Sequence, residues 1–405
     1  MTDPSSVPRQ NPTAAYLHIP FCAHHCGYCD FAVTAGRDEL IDDYLDALEL
    51  ELNRLAEPRA VRTIFIGGGT PTYLNLGPIA RLLAAVNHWF PGSNREFSIE
   101  STPDSLDADK IACLKDHGVT RISVGIQSFR PDALAVLDRR HRAEQIPLAT
   151  TLVRDAGLEL SLDLIFGAPG STLEGWTSDL HRAIDLQPDH VSTYGLTYET
   201  GTPLWKNRKA GRVIPLTDDT EAAMYDAAMT ILPEHGYPQY EVSNFAKPGK
   251  RCRHNETYWS NGAHFGFGVG AAAYVDGVRT LNCRNTVDYI TRLREGRSPV
   301  FQSEQLVGLD LAGETLTTQV RRIEGIEWSA FREQTGFDLK DWAGEKIAVL
   351  SGHGLLTADD RGVRLTRRGF PLTDAIIVEL LAAFATSPTT ARRTGTSRSA
   401  TGQEQ

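Results

Sequence analysis

Apolar and polar positions follow a repeating rhythm through the first half of the chain. A short, nearly continuous apolar run comes first. A longer stretch follows, with apolar residues at three- and four-residue spacing. Residues 15–19 form the first run. In 38–56, Leu40, Ile41, Tyr44, Leu45, Leu48, Leu52 and Leu55 then share one helical face. The pattern recurs as 61–66 with 79–89, 97–100 with 108–117, and 121–126 with two helical patches at 132–138 and 144–156. It closes with 160–166, 173–186 and a last run at 190–196. Gly118 and Gly157 stand where helices end, as residues suited to a left-handed terminal turn. Strands alternating with helices predict right-handed βαβ units on a parallel sheet. Six of them predict an α/β fold, a partial (β/α)6 barrel of TIM type.

The rhythm fades after residue 200. Residues 201–215 read as a linker-like loop and 218–235 as a helix. Residues 237–274 are dense in Gly, His, Asn and aromatics and read as loops and short strands, where function tends to collect. Helical patches then fall at 286–295, 303–321, 327–335 and 339–351, followed by a hairpin at 354–366 and a helix at 373–384. The predicted organisation is a disordered segment 1–13 and a barrel with its extension over 14–284. A small helical, winged-helix-like domain covers 285–385, and a disordered Ser-, Thr-, Gly- and Arg-rich tail covers 386–405.

Charge narrows the partners. A net charge of −10 argues against non-specific nucleic-acid binding, which needs a basic surface. Arg361, Arg364, Arg367 and Arg368 on the hairpin read as a solvated face, or as a protein-docking or lid surface. No apolar run approaches the roughly 20 residues of a membrane helix. The polar, Pro-rich start carries no apolar signal region. These features predict a cytoplasmic protein with no integral membrane segment. Six cysteines dispersed through such a chain do not suggest a disulfide framework, and Cys113 and Cys283 read as small buried side chains.

Cys22, Cys26 and Cys29 are different. They stand at C-x3-C-x2-C spacing directly after the first strand. Three thiolates on one tight loop can hold three corners of a four-iron cube, which normally takes four cysteines. The fourth iron is then open. Zinc with His24 or His25 is the rival reading, but zinc sites usually arrive as two spaced pairs. Cys252 is the one other candidate for a fourth thiolate. In parallel β/α folds the chemistry sits beyond the carboxyl ends of the strands. The distinctive polar groups gather toward those ends: the cysteine loop follows the first strand and Gly67-Gly68-Gly69-Thr70-Pro71 the second, Glu100 closes the third, Gln127 follows the fourth, Asp163 lies within the fifth and Tyr194 near the end of the sixth. The glycine run suits close backbone approach to a small polar ligand.

A three-cysteine motif on the first strand of a β/α barrel resembles the radical S-adenosylmethionine superfamily. That resemblance implies a [4Fe-4S] cluster on Cys22, Cys26 and Cys29, with S-adenosylmethionine chelating the open iron. It implies S-adenosylmethionine contacts from Gly68, Gly69 and Thr70, and from Glu100, Gln127, Arg139 and Asp163. Tyr16 and Tyr28 would pack nearby, or serve only as core. The segments YLHIPFC, IGGGTPT, VGIQSF, DLIFGAPG and LTYETGTPL resemble the oxygen-independent coproporphyrinogen III oxidase group over nearly the whole chain.

Within that group, oxidative decarboxylation of coproporphyrinogen by the dehydrogenase competes with haem binding and delivery by its chaperone paralogues. The oxidases carry a further cysteine two residues past the third ligand, where this chain has Cys29-Asp30-Phe31. They also carry a substantial N-terminal arm, whereas the first strand here is predicted from residue 15. The motif His254-Asn-Glu-Thr-Tyr258-Trp259 resembles the chaperones' H-N-x-x-Y-W. The resemblance therefore implies a haem chaperone. Its partners would be haem and haem-acceptor proteins such as respiratory enzymes, with transient membrane-protein contact and no nucleic acid. Imidazole is a common axial haem ligand. His254 would then contact haem, with Tyr258 and Trp259 against the porphyrin and Cys252 as a rival ligand. A hydrogen-bonded loop histidine is the plainer reading of His254. His18, beside the cluster loop, reads either as facing the barrel mouth or as a satisfied strand histidine.

Overall fold

The structure is a computed structural model that describes residues 10–386, in two compact units. The predicted disorder of 1–9 and 387–405 lies outside the described residues. Residues 10–13 are placed, and the Thr13 N–H donates to the Ala263 carbonyl at 3.2 Å.

The larger unit spans Gln10–Tyr258 and Gly262–Gln305. Its strands are β1 (Ala14–Ile19), β2 (Thr63–Gly68), β3 (Glu96–Ser101), β4 (Arg121–Gln127), β5 (Glu159–Phe166) and β6 (His190–Gly195). Then come β7 (Asn244–Ala246), β8 (His264–Phe267), β9 (Ala272–Val275), β10 (Val278–Asn282) and β11 (Val300–Gln305). They form one sheet in the order β11-β10-β9-β8-β1-β2-β3-β4-β5-β6-β7. The six predicted strands are parallel neighbours, and β8 joins β1 in parallel on the other side. The helices α1 (Ile41–Leu52), α2 (Leu76–Trp89), α3 (Ala108–Asp116), α4 (Gln145–Asp155), α5 (Leu173–Asp185) and α6 (Asp218–Glu234) accompany them. Local chemistry sets their ends. The side chains of Asp107, Thr172 and Thr217 accept the N-terminal N–H groups of α3, α5 and α6. Gly118 and Gly157 take φ of +83° and +74° just past α3 and α4.

The strands alternate more strictly than their apolar content suggests. Ile64, Ile66, Phe97, Ile99, Ile122, Val124, Leu160 and Leu162 are buried on one face. Successive strand residues point to opposite faces. The other face therefore carries Thr63 and Phe65, Glu96, Ser98 and Glu100, Arg121 and Ser123, Ser161 and Asp163, and His190 and Ser192. This is a polar interior. Ser123 donates to Asp163 at 3.0 Å, and the Ser161 hydroxyl lies 2.9 Å from His190 Nδ1.

Three expectations need correction. The segment 201–215 contains a helix, Pro203–Lys209, with Thr202 as N-cap, proline in its first turn, and Lys206, Arg208 and Lys209 in its last. All three are helix signals in the sequence itself. The predicted helix 303–321 begins only at Gly308. Residues up to Gln305 pair antiparallel with β10 instead. The helix Thr286–Arg294 belongs to the same unit, where the Tyr289 hydroxyl donates to Glu51 at 2.5 Å. The boundary between units therefore falls after Gln305, not at 285.

The smaller unit comprises, of the described residues, Trp259–Asn261 and 306–386. Helices Gly308–Gln319, Trp328–Thr335, Leu339–Gly352 and Thr373–Thr386 surround a three-stranded sheet of Ile326–Glu327, Leu356–Ala358 and Gly362–Leu365. Leu316, Phe331, Leu339, Val363 and Leu380 are buried in it. The basic hairpin residue Arg364 is paired with Asp359 at 2.8 Å.

Candidate functional site

A cavity of about 780 Å3 opens at the carboxyl ends of the parallel strands. Cys22, Cys26 and Cys29 line it as free thiols. Phe21–Cys22 pairs with Thr34–Ala35, which fixes the start of the cysteine loop. The Gly27 N–H donates to the Leu137 carbonyl at 3.2 Å, and the Gly27 carbonyl accepts from Leu204 at 2.8 Å. Burial pushes the Cys22 thiol up to about 12, against the pull of Thr70 Oγ1 at 3.6 Å, and the Cys29 thiol up to about 11. Such thiols ionise when a metal compensates them.

The donor set fits an iron–sulfur cluster better than zinc. His24 turns to Asp138 at 2.9 Å, and His25 Nε2 lies 3.0 Å from the carbonyl of Cys29. Among the described residues, no three His, Cys, Asp or Glu side chains converge on a single metal position. Cys252 is buried beside Glu96, at the amino end of β3, so it is no fourth ligand to the loop.

The glycine run has a structural cause. A Cβ on Gly67 would lie 2.8 Å from the Glu100 carboxylate. One on Gly68, at φ +113°, would lie 2.5 Å from the His18 ring, and one on Gly69 2.7 Å from the Pro20 backbone. These glycines let β2 turn tightly across the end of β1, which leaves Gly68, Gly69 and Thr70 on the cavity wall. The Gly68 N–H donates to Glu100 Oε2 at 2.8 Å.

Glu100, Gln127, Arg139 and Asp163 all line the same cavity. Burial pushes the Glu100 carboxyl up to about 7; the Gly68 N–H opposes this and Asp163 adds to it. Burial also raises Asp163, against hydrogen bonds from Ser192 and Ser123. Gln127 sits at φ +59° beside a bulge between β4 and β5, a conformation rare for a side-chain-bearing residue. Arg139 reaches Cys26 Sγ at 3.4 Å. Tyr28 lines the cavity and packs on Leu137, Ala168, Leu196 and Leu204. Tyr16 does not line it. Its hydroxyl lies 3.0 Å from His18 Nδ1, its ring stacks on Phe65, and it belongs to the barrel interior. His18 is likewise engaged at both ring nitrogens, the second against the Ala32 carbonyl at 2.8 Å.

The predicted haem residues are elsewhere. Thr63 and Glu96 begin β2 and β3, and His254 is bound to both, so it lies at the amino ends of the strands. Its N–H donates to Glu96 Oε1 at 3.0 Å, its Nδ1 lies 3.0 Å from Thr63 Oγ1, and its Nε2 lies 2.9 Å from the Tyr258 hydroxyl. The ring stacks on Phe65 and is 1% exposed, and burial drives its pKa down to about 3. Both nitrogens are occupied and neither face is open, so a haem contact by His254 is not what this arrangement provides. Tyr258 spends its hydroxyl on His254 and its ring against His264. Trp259 belongs to the smaller unit, where Arg321 lies over its ring at 5.9 Å.

Sequence reasoning missed Lys110, which lines the cavity and donates to the Thr72 and Ser105 carbonyls. It also missed the polar interior. The period-two pattern of Glu96-Phe-Ser-Ile-Glu-Ser101 and Glu159-Leu-Ser-Leu-Asp163 was the available signal.

Known proteins share this fold. Residues 16–183 match the radical SAM superfamily model, and residues 308–372 the HemN C-terminal domain model. The heme chaperone HemW of Bacillus subtilis is 36% identical over 88% of this chain and 96% of its own length. That of Escherichia coli is 38% identical over 68% of this chain and 74% of its own. The solved coproporphyrinogen III oxidase HemN of Escherichia coli superposes with a TM-score of 0.80, covering 95% of this chain and 92% of that one, at 24% identity, a likeness of fold. The superfamily works with a [4Fe-4S] cluster and S-adenosylmethionine, and the donor set of the mouth fits both. By its identity to the Bacillus subtilis relative over nearly that protein's full length, the chain belongs to the HemW family of radical SAM proteins.

Proposed function

We propose that this protein is a haem chaperone that binds haem and passes it to acceptor proteins. Cys22, Cys26 and Cys29 hold the [4Fe-4S] cluster, and Gly68, Gly69, Thr70, Glu100, Gln127, Arg139 and Asp163 receive an exchangeable S-adenosylmethionine at the open iron. The observation that carries the reading is the near full-length identity to proteins named heme chaperones. The residues after the cluster loop support it. Asp30 is paired with Arg284 at 3.3 Å, and Phe31 is 64% exposed where the oxidases carry a cysteine. The acceptors, respiratory enzymes among them, would be met in the cytoplasm or at a membrane face. Among the described residues, no helix is long and apolar enough to cross a membrane.

When bound, the cluster supplies a low-potential electron. The chain's own residues position the ligand and exclude water. The Gly68 N–H fixes the Glu100 carboxylate at the wall. Glu100 can keep its proton near neutrality, or lose it to solvent and pair as a carboxylate with a cationic ligand group. Ser123 holds Asp163 in one orientation.

The second reading is coproporphyrinogen III dehydrogenase, favoured by the HemN fold alone. A paired assay on cluster-loaded protein separates the two. Haem titration should give a saturable Soret band, with no carbon dioxide released from coproporphyrinogen. Release of carbon dioxide without haem uptake would overturn the chaperone reading.

A further inference from the structure

The cysteine loop is clasped by a segment more than a hundred residues away, Leu137-Asp138-Arg139. Each of the three residues makes a polar contact with the loop. The Leu137 carbonyl accepts from the Gly27 N–H at 3.2 Å. The Asp138 carboxylate meets His24 Nε2 at 2.9 Å. Arg139 Nη1 donates to Cys26 Sγ at 3.4 Å, within range for a sulfur acceptor.

The backbone is built to deliver that arginine. Asp138 takes φ +54°, a left-handed conformation that aspartate tolerates better than most residues. It ends the helix Pro131–Val136 and reverses the chain, and the Arg139 N–H then closes on the Leu134 carbonyl at 2.9 Å. The other arm of the guanidinium is anchored on the Gly125 carbonyl. A Cβ on Gly125 would stand 3.1 Å from Arg139 Nη2, so glycine in β4 leaves the fork its space. Arg139 is thus fixed at two points, one of them a sulfur of the cysteine motif. Cys22 takes no hydrogen bond from Arg139; its side-chain hydrogen-bond partner is the neutral Thr70 hydroxyl at 3.6 Å.

We propose that Arg139 is a positioning residue that hydrogen-bonds the Cys26 thiolate of the loaded cluster and raises the cluster's reduction potential. Reduction adds negative charge to the cluster. A fixed guanidinium on one ligand sulfur stabilises the reduced form more than the oxidised form. Hydrogen bonds to the sulfurs and local charge are among the levers that set these potentials. The lever is strong because the cavity wall screens it less than water does. The proposal rests on the cluster half of the functional reading and not on haem.

The test is the midpoint potential of the reconstituted cluster, followed by EPR without S-adenosylmethionine, in the native chain, R139Q and R139K. In R139Q the ratio of reduced to oxidised cluster at a given potential should fall about tenfold, about 59 mV for one electron. R139K keeps the cation and loses the fork, so it should fall between the two, and it carries the comparison if R139Q fails to fold. Equal midpoint potentials in all loaded proteins would overturn the proposal while leaving the cluster intact. So would a loss of S-adenosylmethionine affinity with no shift in potential. A native chain that takes up no cluster would overturn the cluster reading and the proposal with it.

Discussion

The two ends of the barrel are built from the same kinds of residue and do opposite things. The carboxyl end carries Glu100, Asp163 and Arg139 around a cavity of about 780 Å3. The amino end carries Glu96, Arg121, Glu159 and His254, bound to one another and to the backbone. Glu96 accepts the N–H groups of Arg253 and His254 and lies 3.6 Å from Arg121, which meets Glu159 at 2.7 Å. At the mouth, polar side chains face space that a ligand can fill. At the floor they close the barrel. A polar cluster is a site only when its partners are not already supplied by the protein.

The largest effect that would sharpen this contrast is at the mouth. Cys22→Ser, Cys26→Ser or Cys29→Ser should each abolish stable iron–sulfur uptake, read as the loss of broad visible absorption and bound iron. A variant retaining full iron would remove that cysteine from the cluster. At the floor the loss should appear as stability instead. Glu96→Ala leaves the buried Arg121 and two helix N–H groups short of a partner. Breaking one side of a buried ion pair typically costs about 3–5 kcal/mol. Chemical denaturation should show that loss, while the cluster content per folded molecule stays unchanged. His254→Ala removes two buried hydrogen bonds and opens a cavity, a loss of about 2–4 kcal/mol. Haem uptake by the folded variant should match the native chain. Loss of the Soret band without loss of stability would overturn this placement of His254.

The smallest effect is a pH dependence at the mouth. The Glu100 pKa is raised in the folded state, to about 7 from 4.5, so the folded chain holds more protons than the unfolded chain between those values. The stabilisation is complete below pH 4.5 and is lost as pH rises toward 7. The slope has a ceiling of about 1.4 kcal/mol per pH unit, reduced because Glu100 faces the cavity. Glu100→Gln should remove that slope from the cluster-free protein and weaken S-adenosylmethionine binding to the loaded one. An unchanged pH profile would show that Glu100 is ionised throughout.

What could be read in advance follows from the range of the interactions. The alternation of β1 to β6 with their helices was legible because helical spacing and terminal residues such as Gly118 and Gly157 act locally. That the cysteine loop and the polar groups toward the strand ends would line one cavity was legible because this architecture collects chemistry at one rim. The strand β11 was not, because backbone pairing with β10 overrode a sequence also suited to a helix. The reason for Gly67, Gly68 and Gly69 was not, because the side chains they accommodate, Glu100 and His18, arrive from other strands. The placement of His254 was hidden for the same reason. Nothing near it in sequence tells that Thr63 and Glu96 will meet it.

The pairing of β1 has a consequence for how the chain is made. β1 is flanked by β2 and by β8, and Glu51 of α1 is bound by Gly268, Asn282 and Tyr289. β1 therefore acquires its second neighbour only once residue 267 has been made. The ladder through β11 is complete only after residue 305. At about 5–20 residues per second, the nascent chain presents an unpaired edge of β1 for roughly 12–50 s. An exposed strand edge is a template for unwanted pairing. Slowed translation or truncation between residues 200 and 305 should therefore harm the yield of soluble protein more than the same lesion in the last eighty residues.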